Sequence, residues 1–204
     1  MKYSSLFLFL TLMKKEYKIK AQEFNNNDFV DNTNEWYYIE PTTTQFENIF
    51  PRMINLTPSK TTFNVCDAGF GLGTMMYNFY IESKKFEDKT FNFFGVEKYK
   101  EYVDFFNKNL KGYWDNNIDL YVDDIMNHNY GKYDIVYCYA PFKNENKLMD
   151  MYQKIVDELK PNGILIEYAW SGMGFYSSIR KTHKNNPETT KLIRLITHDV
   201  LIKL

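Results

Sequence analysis

One stretch leaves few folds open to this chain: Phe63-Asn64-Val65-Cys66-Asp67-Ala68-Gly69-Phe70-Gly71-Leu72-Gly73. It reads as a short buried strand, an acidic residue, a turn of the form Asp-x-Gly-x-Gly-x-Gly, and a helix that begins near Thr74. Glycines at alternate positions allow backbone angles closed to other residues, and they let a ligand approach the main chain with no Cβ in the way. The free N–H groups at the start of the next helix then face that ligand. Dinucleotide folds space their glycines G-x-G-x-x-G to seat a pyrophosphate on the helix end. Here the third glycine comes one residue early, at Gly73, and position 74 is Thr. Asp67 would also set negative charge beside a phosphate. The turn instead suits a ligand that carries an amino group.

The rest of the chain builds an alternating pattern around that turn. Phe46, Ile49, Phe50 and Met53 have helical spacing, with Thr42 to Thr44 ahead as N-cap candidates and Pro51 expected to kink or end the helix early. Met76, Phe79 and Tyr80 give one apolar face of the helix after the turn. Residues 90–97 read as a second buried strand ending in Glu97, and Val103, Phe106 and Leu110 mark the helix that follows. Residues 118–125 read as a third strand ending in Asp123 and Asp124, and residues 133–140 as a fourth closed by Pro141. A helix with Met149, Tyr152, Val156 and Leu159 along one stripe stops at Lys160-Pro161-Asn162-Gly163, with Gly as the expected C-cap residue. A fifth strand covers 164–168, a loop follows at 171–174, a short helix covers 177–183, and two strands around a tight turn close the chain.

Strands alternating with helices predict a three-layer αβα sandwich with a mostly parallel seven-stranded sheet whose last strand is antiparallel. Right-handed crossovers put every strand's C-terminal end on one edge, where ligands of such sheets bind. Asp67, Glu97, Asp123, Asp124 and Tyr139 all fall on that edge. Glu97 is placed to accept two hydrogen bonds from vicinal ribose hydroxyls. A carboxylate at 123 or 124 can accept from an adenine amine, while the backbone N–H of Ile125 donates to a ring nitrogen. Neighbouring strand residues point to opposite faces, so only one of the two acids can serve.

The length of 204 residues suits one domain, read as an N-terminal arm over 1–35 and a single domain over 36–204. Within the arm, residues 14–34 read as an irregular arm or lid. A net charge of −1 calls for neither nucleic acid nor an anionic membrane. Cys66 and Cys138 each sit in a strand-like apolar run, and no CxxC, HExxH or Cys/His cluster occurs, so no metal site is expected. His128, His183 and His198 are far apart and read as surface or loop residues. The basic run Arg180-Lys181-Thr182-His183-Lys184 reads as a solvated helix face rather than a nucleic-acid contact. At the N-terminus, Leu6 to Met13 form an apolar run too short to span a bilayer and followed at once by Lys14-Lys15-Glu16. It is an element packed on the domain, a weak membrane contact, or sequence upstream of a start at Met13. A cytoplasmic protein with no stable membrane insertion is expected.

The chain resembles the class I S-adenosylmethionine-dependent methyltransferases. The resemblance rests on Asp67-Ala68-Gly69-Phe70-Gly71-Leu72-Gly73, Gly95-Val96-Glu97, Asp124-Ile125, Tyr139-Ala140-Pro141-Phe142 and Leu159-Lys160-Pro161-Asn162-Gly163, and on the terminal strand pair. It implies S-adenosyl-L-methionine as cofactor, with Asp67, Ala68, Gly69, Phe70, Gly71 and Gly73 around its methionine part and Tyr139 beside the same site. Glu97 would hold the ribose, and Asp124 with Ile125 the adenine. Asp124 is chosen over Asp123 because an apolar residue follows the adenine-contacting acid in that family. Thr42, from a Glu40-Pro41-Thr42 segment similar to one that folds over the cofactor, would lie with Pro141 and Phe142 near the acceptor. Amino-methylating DNA enzymes carry a leading Asp or Asn and a second proline after the fourth strand, and both are missing from Tyr139-Ala140-Pro141-Phe142. The expected activity is therefore methyl transfer to a protein side chain or a small molecule. Alternatives are a non-catalytic cofactor-binding module of the same fold and a nucleic-acid methyltransferase. No catalytic residue is named, because a sulfonium leaving group needs mainly a positioned acceptor.

Overall fold

The computed structural model describes residues 2–24, 46–115, 118–139, 141–142, 144–168, 178–194 and 198–204. Thr42 with its Glu40-Pro41 neighbours, the Asn-rich part of the arm, Ala140, the 171–174 loop and the final turn lie outside them.

Seven strands form one sheet: β1 (Thr62–Ala68), β2 (Thr90–Glu97), β3 (Ile118–Val122), β4 (Ile135–Cys138), β5 (Ile164–Tyr168), β6 (Thr190–Arg194) and β7 (His198–Lys203). Their order is β3-β2-β1-β4-β5-β7-β6. The first five run parallel, and β7 is antiparallel to both β5 and β6, so six strands share one direction. The expected mixed sheet is therefore present. The order reverses between β1 and β4, which opens a crevice at their C-terminal ends.

Helices α1 (Lys2–Gln22), α2 (Phe46–Leu56), α3 (Thr74–Ser83) and α4 (Lys100–Asn109) enclose one core with Phe63, Val65, Phe91, Phe93, Ile135 and Tyr137. Helices α5 (Glu145–Glu158) and α6 (Ser178–Asn185) enclose the other, with Cys66, Ala68, Val96, Val136 and Cys138. The period of two along each strand explains the split. Odd-numbered positions of β1, β2 and β4 face α3, and even-numbered ones face α5. Asp67, Glu97 and Tyr139 therefore continue one face, the α3 side.

Several local expectations need correction. Residues 14–34 read as an irregular arm, yet their described part continues α1 as far as Gln22. Tyr17 and Ala21, one turn apart, are buried, and Met13 and Phe24 pack beside them. α1 lies on α3, and for that reason every residue of α3 is buried rather than one face only. Pro51 does not end α2, which runs on to Leu56. The cost of an interior proline, about 3 kcal/mol, is exceeded by burying Ile49, Phe50, Met53 and Ile54, each contributing about 1.5–3 kcal/mol.

The buried stripe of α5 is Leu148, Met151, Tyr152, Ile155 and Val156, with Met149 only half-buried. After α5 the left-handed residue is Asn162, at φ 66, not Gly163. Gly163 is required for a different reason: a Cβ there would lie 2.8 Å from the carbonyl oxygen of Lys160. β3 ends at Val122, so Asp123 and Asp124 stand in a turn, and strand alternation does not choose between them.

Candidate functional site

The glycine turn leaves β1 at the reversal in strand order. Gly69, Gly71 and Gly73 have φ of 92°, 53° and 71°. The amides of Gly69 and Phe70 both donate to the carbonyl of Val96 at 3.0 Å, and the amide of Gly73 donates to the carbonyl of Phe70 at 2.8 Å. Gly73 is the N-cap of α3, and among the described residues no side chain caps that helix. The turn therefore folds tightly across the end of β2, with an uncapped helix start beyond it.

Phe70 explains why two of the glycines are glycines. Its ring is buried against Phe106, 5.1 Å away between centroids. A Cβ on Gly73 would fall 2.1 Å from Cζ of that ring, and a Cβ on Gly95 would fall 2.5 Å from its Cδ2. Of the residues expected around a cofactor, Phe70 thus turns its side chain into the core and leaves only its backbone to the turn. Ala68 is buried at the strand tip in the opposite core.

Two carboxylates face the turn. Asp67 is 3 % exposed and Glu97 is 7 % exposed. Glu97 Oε2 accepts from the amide of Gly71 at 2.8 Å, and Oε1 accepts from the amide of Tyr99 at 2.9 Å. Asp67 differs: no described residue gives its carboxylate a hydrogen bond or ion pair. Burial, with the charge of Glu97 adding to it, pushes the Asp67 carboxyl well above the usual carboxylate range. A buried acid with no partner is costly unless a ligand satisfies it, and such groups mark functional sites.

At the end of β3, Asp124 Oδ1 accepts from the amide of Met126 at 2.8 Å and so shapes the turn it stands in. Asp123 is engaged differently, its Oδ2 lying 2.9 Å from His128 Nδ1 while His128 Nε2 lies 2.8 Å from the hydroxyl of Tyr133. His128 lies in the loop after β3 but is a buried bridge there, not a surface residue. The Asp123 amide donates to the carbonyl of Glu97 at 3.1 Å, which ties this turn to the end of β2. Ile125 is buried, and its carbonyl accepts from Tyr130 at 2.9 Å.

The segment after β4 also reaches the turn, since a Cβ on Gly69 would be 3.5 Å from Cβ of Pro141. Tyr139 packs against the α3-side core. Phe142 is buried with Leu148 and Met151 of α5, and the Lys147 ammonium sits 4.0 Å from its ring centroid.

Other chemistry finds little support. Burial pushes the thiols of Cys66 and Cys138 well above the usual cysteine range, with the nearby Asp67 charge adding to both. Neither thiol is then a ready nucleophile. Among the described residues no group of His, Cys, Asp and Glu is placed to hold a metal ion. No helix among them is long and apolar enough to cross a membrane.

Sequence reasoning missed Tyr17, whose hydroxyl donates to the carbonyl of Leu72, inside the turn, at 2.7 Å. The spacing Met13, Tyr17, Ala21, Phe24 was the available signal.

No family model and no curated protein matches the sequence. Solved structures do match. A protein from Listeria monocytogenes named as a class I S-adenosylmethionine-dependent methyltransferase aligns with a TM-score of 0.66 and 11 % identity, over 95 % of this chain and 67 % of its own. Magnesium protoporphyrin IX methyltransferase from Synechocystis PCC 6803, with bound S-adenosylmethionine, aligns with a TM-score of 0.62 and 14 % identity, over 92 % of this chain and 97 % of its own. An RNA methyltransferase from Salinibacter ruber, in complex with S-adenosyl-L-homocysteine, aligns with a TM-score of 0.51 and 14 % identity, over 80 % of this chain and 92 % of its own. With its 3-2-1-4-5-7-6 sheet and these alignments, the chain has the fold of the class I S-adenosylmethionine-dependent methyltransferases.

Proposed function

We propose that the chain is an S-adenosylmethionine-dependent methyltransferase acting on a protein side chain or a small molecule. The observation that carries this reading is the buried Asp67 carboxylate, without a partner among the described residues, beside Glu97 and facing a turn of left-handed glycines at the sheet's reversal. Such a site fits a ligand with a cationic group and two vicinal hydroxyls, and it has no basic group that would hold a pyrophosphate among the residues just described. Asp67 and the glycine backbone would hold the methionine part, Glu97 the ribose, and Asp124 with the Ile125 amide the adenine. Tyr139 would stand beside the methionine part as well, and Pro141 would lie on the acceptor side. Thr42 and Phe142 would also lie on the acceptor side.

The bound cofactor supplies a methyl group on an already activated sulfonium. What the chain contributes is position, since reacting atoms held about 3–3.5 Å apart gain most of their rate from alignment. Residues 36–204 would form the catalytic domain, with 1–35 as an added N-terminal part. A protein or small-molecule acceptor is preferred over RNA because three of the four basic groups of α6 are committed. Arg180 pairs with the buried Asp199 at 2.6 Å, Lys181 pairs with Glu145, and His183 Nδ1 meets the hydroxyl of Thr190 at 2.8 Å. Two buried free thiols suit a reducing compartment, and we place the enzyme in the cytoplasm.

Calorimetric titration with S-adenosylmethionine and S-adenosylhomocysteine tests the reading. Saturable binding of both is expected, and no heat at millimolar ligand with the protein folded would overturn it. The affinity should also depend on pH. In the free fold the Asp67 carboxyl keeps its proton to a higher pH than in the unfolded chain, where the value is about 3.9. The free protein therefore loses stability as pH rises through the raised value. A cationic ligand favours the ionised acid, so affinity should rise with pH through the same window and level off above it. Asp67→Asn should flatten that profile.

A further inference from the structure

Helix α1 reaches the glycine turn through the hydroxyl of Tyr17. Tyr17 is fully buried, with its ring stacked on Tyr77 at a centroid distance of 3.9 Å and an interplanar angle of 11°. Tyr113 and Trp114 meet it edge-on at 5.7 and 6.1 Å. One turn earlier on α1, the Lys14 ammonium bonds to Glu82 Oε1 at 2.8 Å, and Glu82 is itself buried in α3. The ring thus has no freedom to swing, and its hydroxyl is fixed 2.7 Å from the Leu72 carbonyl oxygen.

That carbonyl belongs to the peptide unit joining Leu72 to Gly73. The N–H of the same unit donates to the carbonyl of Phe70 at 2.8 Å. A peptide unit is rigid, so holding both its ends fixes its orientation. Just before it, the amide of Gly71 is held by Glu97. The glycines give this segment more conformational freedom than any other residues would. The contacts to Tyr17, Phe70 and Glu97 remove that freedom before any ligand arrives.

We propose that Tyr17 is a positioning residue of the cofactor site: by holding the Leu72 carbonyl it keeps the glycine turn in its ligand-ready shape, which makes the N-terminal helix a working part of the site. This rests on the cofactor reading given above. Preorganisation of this kind raises affinity by removing an ordering cost from the binding step.

Tyr17→Phe removes the hydroxyl and keeps the ring stack. Three readouts on the full chain test the proposal: the melting curve, amide hydrogen exchange at Gly71 to Gly73, and titration with S-adenosylhomocysteine. In the folded variant, exchange at these amides should rise about tenfold, the factor expected for one lost hydrogen bond, while β4 and β5 amides keep their wild-type rates. Affinity for S-adenosylhomocysteine should fall by a factor of about five to ten on the same basis. Unchanged exchange at the turn would overturn the proposal, because the hydroxyl would then hold nothing. Faster exchange with unchanged affinity would also overturn it, and would leave the cofactor reading standing. A wild-type protein that binds no S-adenosylhomocysteine would instead remove the cofactor reading, and the exchange result would still show whether Tyr17 fixes the turn.

Discussion

Gly73→Ala is expected to destabilise the protein by roughly 2–5 kcal/mol, the sum of about 1–2 for a side chain held in the left-handed region and about 1–3 for overpacking. Both terms come from the same residue. Its φ is +71°, and a Cβ there would sit 2.1 Å from Cζ of Phe70. The Phe70 ring cannot retreat easily, because Phe106 and Trp114 are packed against it. A domain stability of about 5–15 kcal/mol leaves little margin for such a loss, and the melting temperature should fall by about 10 °C. The clash is checked by shrinking the ring. In a cycle with Phe70→Leu, the double variant should be clearly less destabilised than the sum of the two singles. Strict additivity would show that the ring is not what excludes a side chain at 73.

Glu97→Ala should weaken binding of S-adenosylmethionine and S-adenosylhomocysteine by at least tenfold. Two causes act together. The ribose would lose a charged acceptor, and hydrogen bonds to charged groups contribute about 1.5–3 kcal/mol each. The amides of Gly71 and Tyr99 would lose the carboxylate that now holds them at 2.8 and 2.9 Å. A Glu97 that served only as a solvated strand end would leave affinity unchanged on replacement. Calorimetry on the folded variant distinguishes the two.

The order of motifs along the chain carried most of the fold. Buried strands and amphipathic helices have short, local periods, so β1, β2, β5 and α3 stand close to where periodicity put them. The sheet edge shared by Asp67, Glu97 and Tyr139 was also legible, because right-handed crossovers put every parallel strand's C-terminal end on one side. What escaped the sequence depends on tertiary neighbours. Pro51 stays inside α2 because four buried side chains outweigh it, and propensity alone cannot register that. α3 is buried on all sides because α1, far away in sequence, covers its outer face. His128 became a bridge only once a turn brought Asp123 and Tyr133 to its two ring nitrogens. Tyr17 and Leu72 are 55 positions apart, and no local pattern links them. The acceptor side of the site is the least legible part, because Pro141 and Phe142 carry no charge pattern that names a substrate.

The measurement that bears most directly on the central claim is a structure of the chain with S-adenosylhomocysteine bound. The ligand should lie across the C-terminal tips of β1, β2 and β3. Its amino group should stand by Asp67, its ribose hydroxyls within hydrogen-bond distance of Glu97, and its adenine against Asp124 and Ile125. A ligand seated elsewhere, or one that leaves Asp67 and Glu97 untouched, would contradict it.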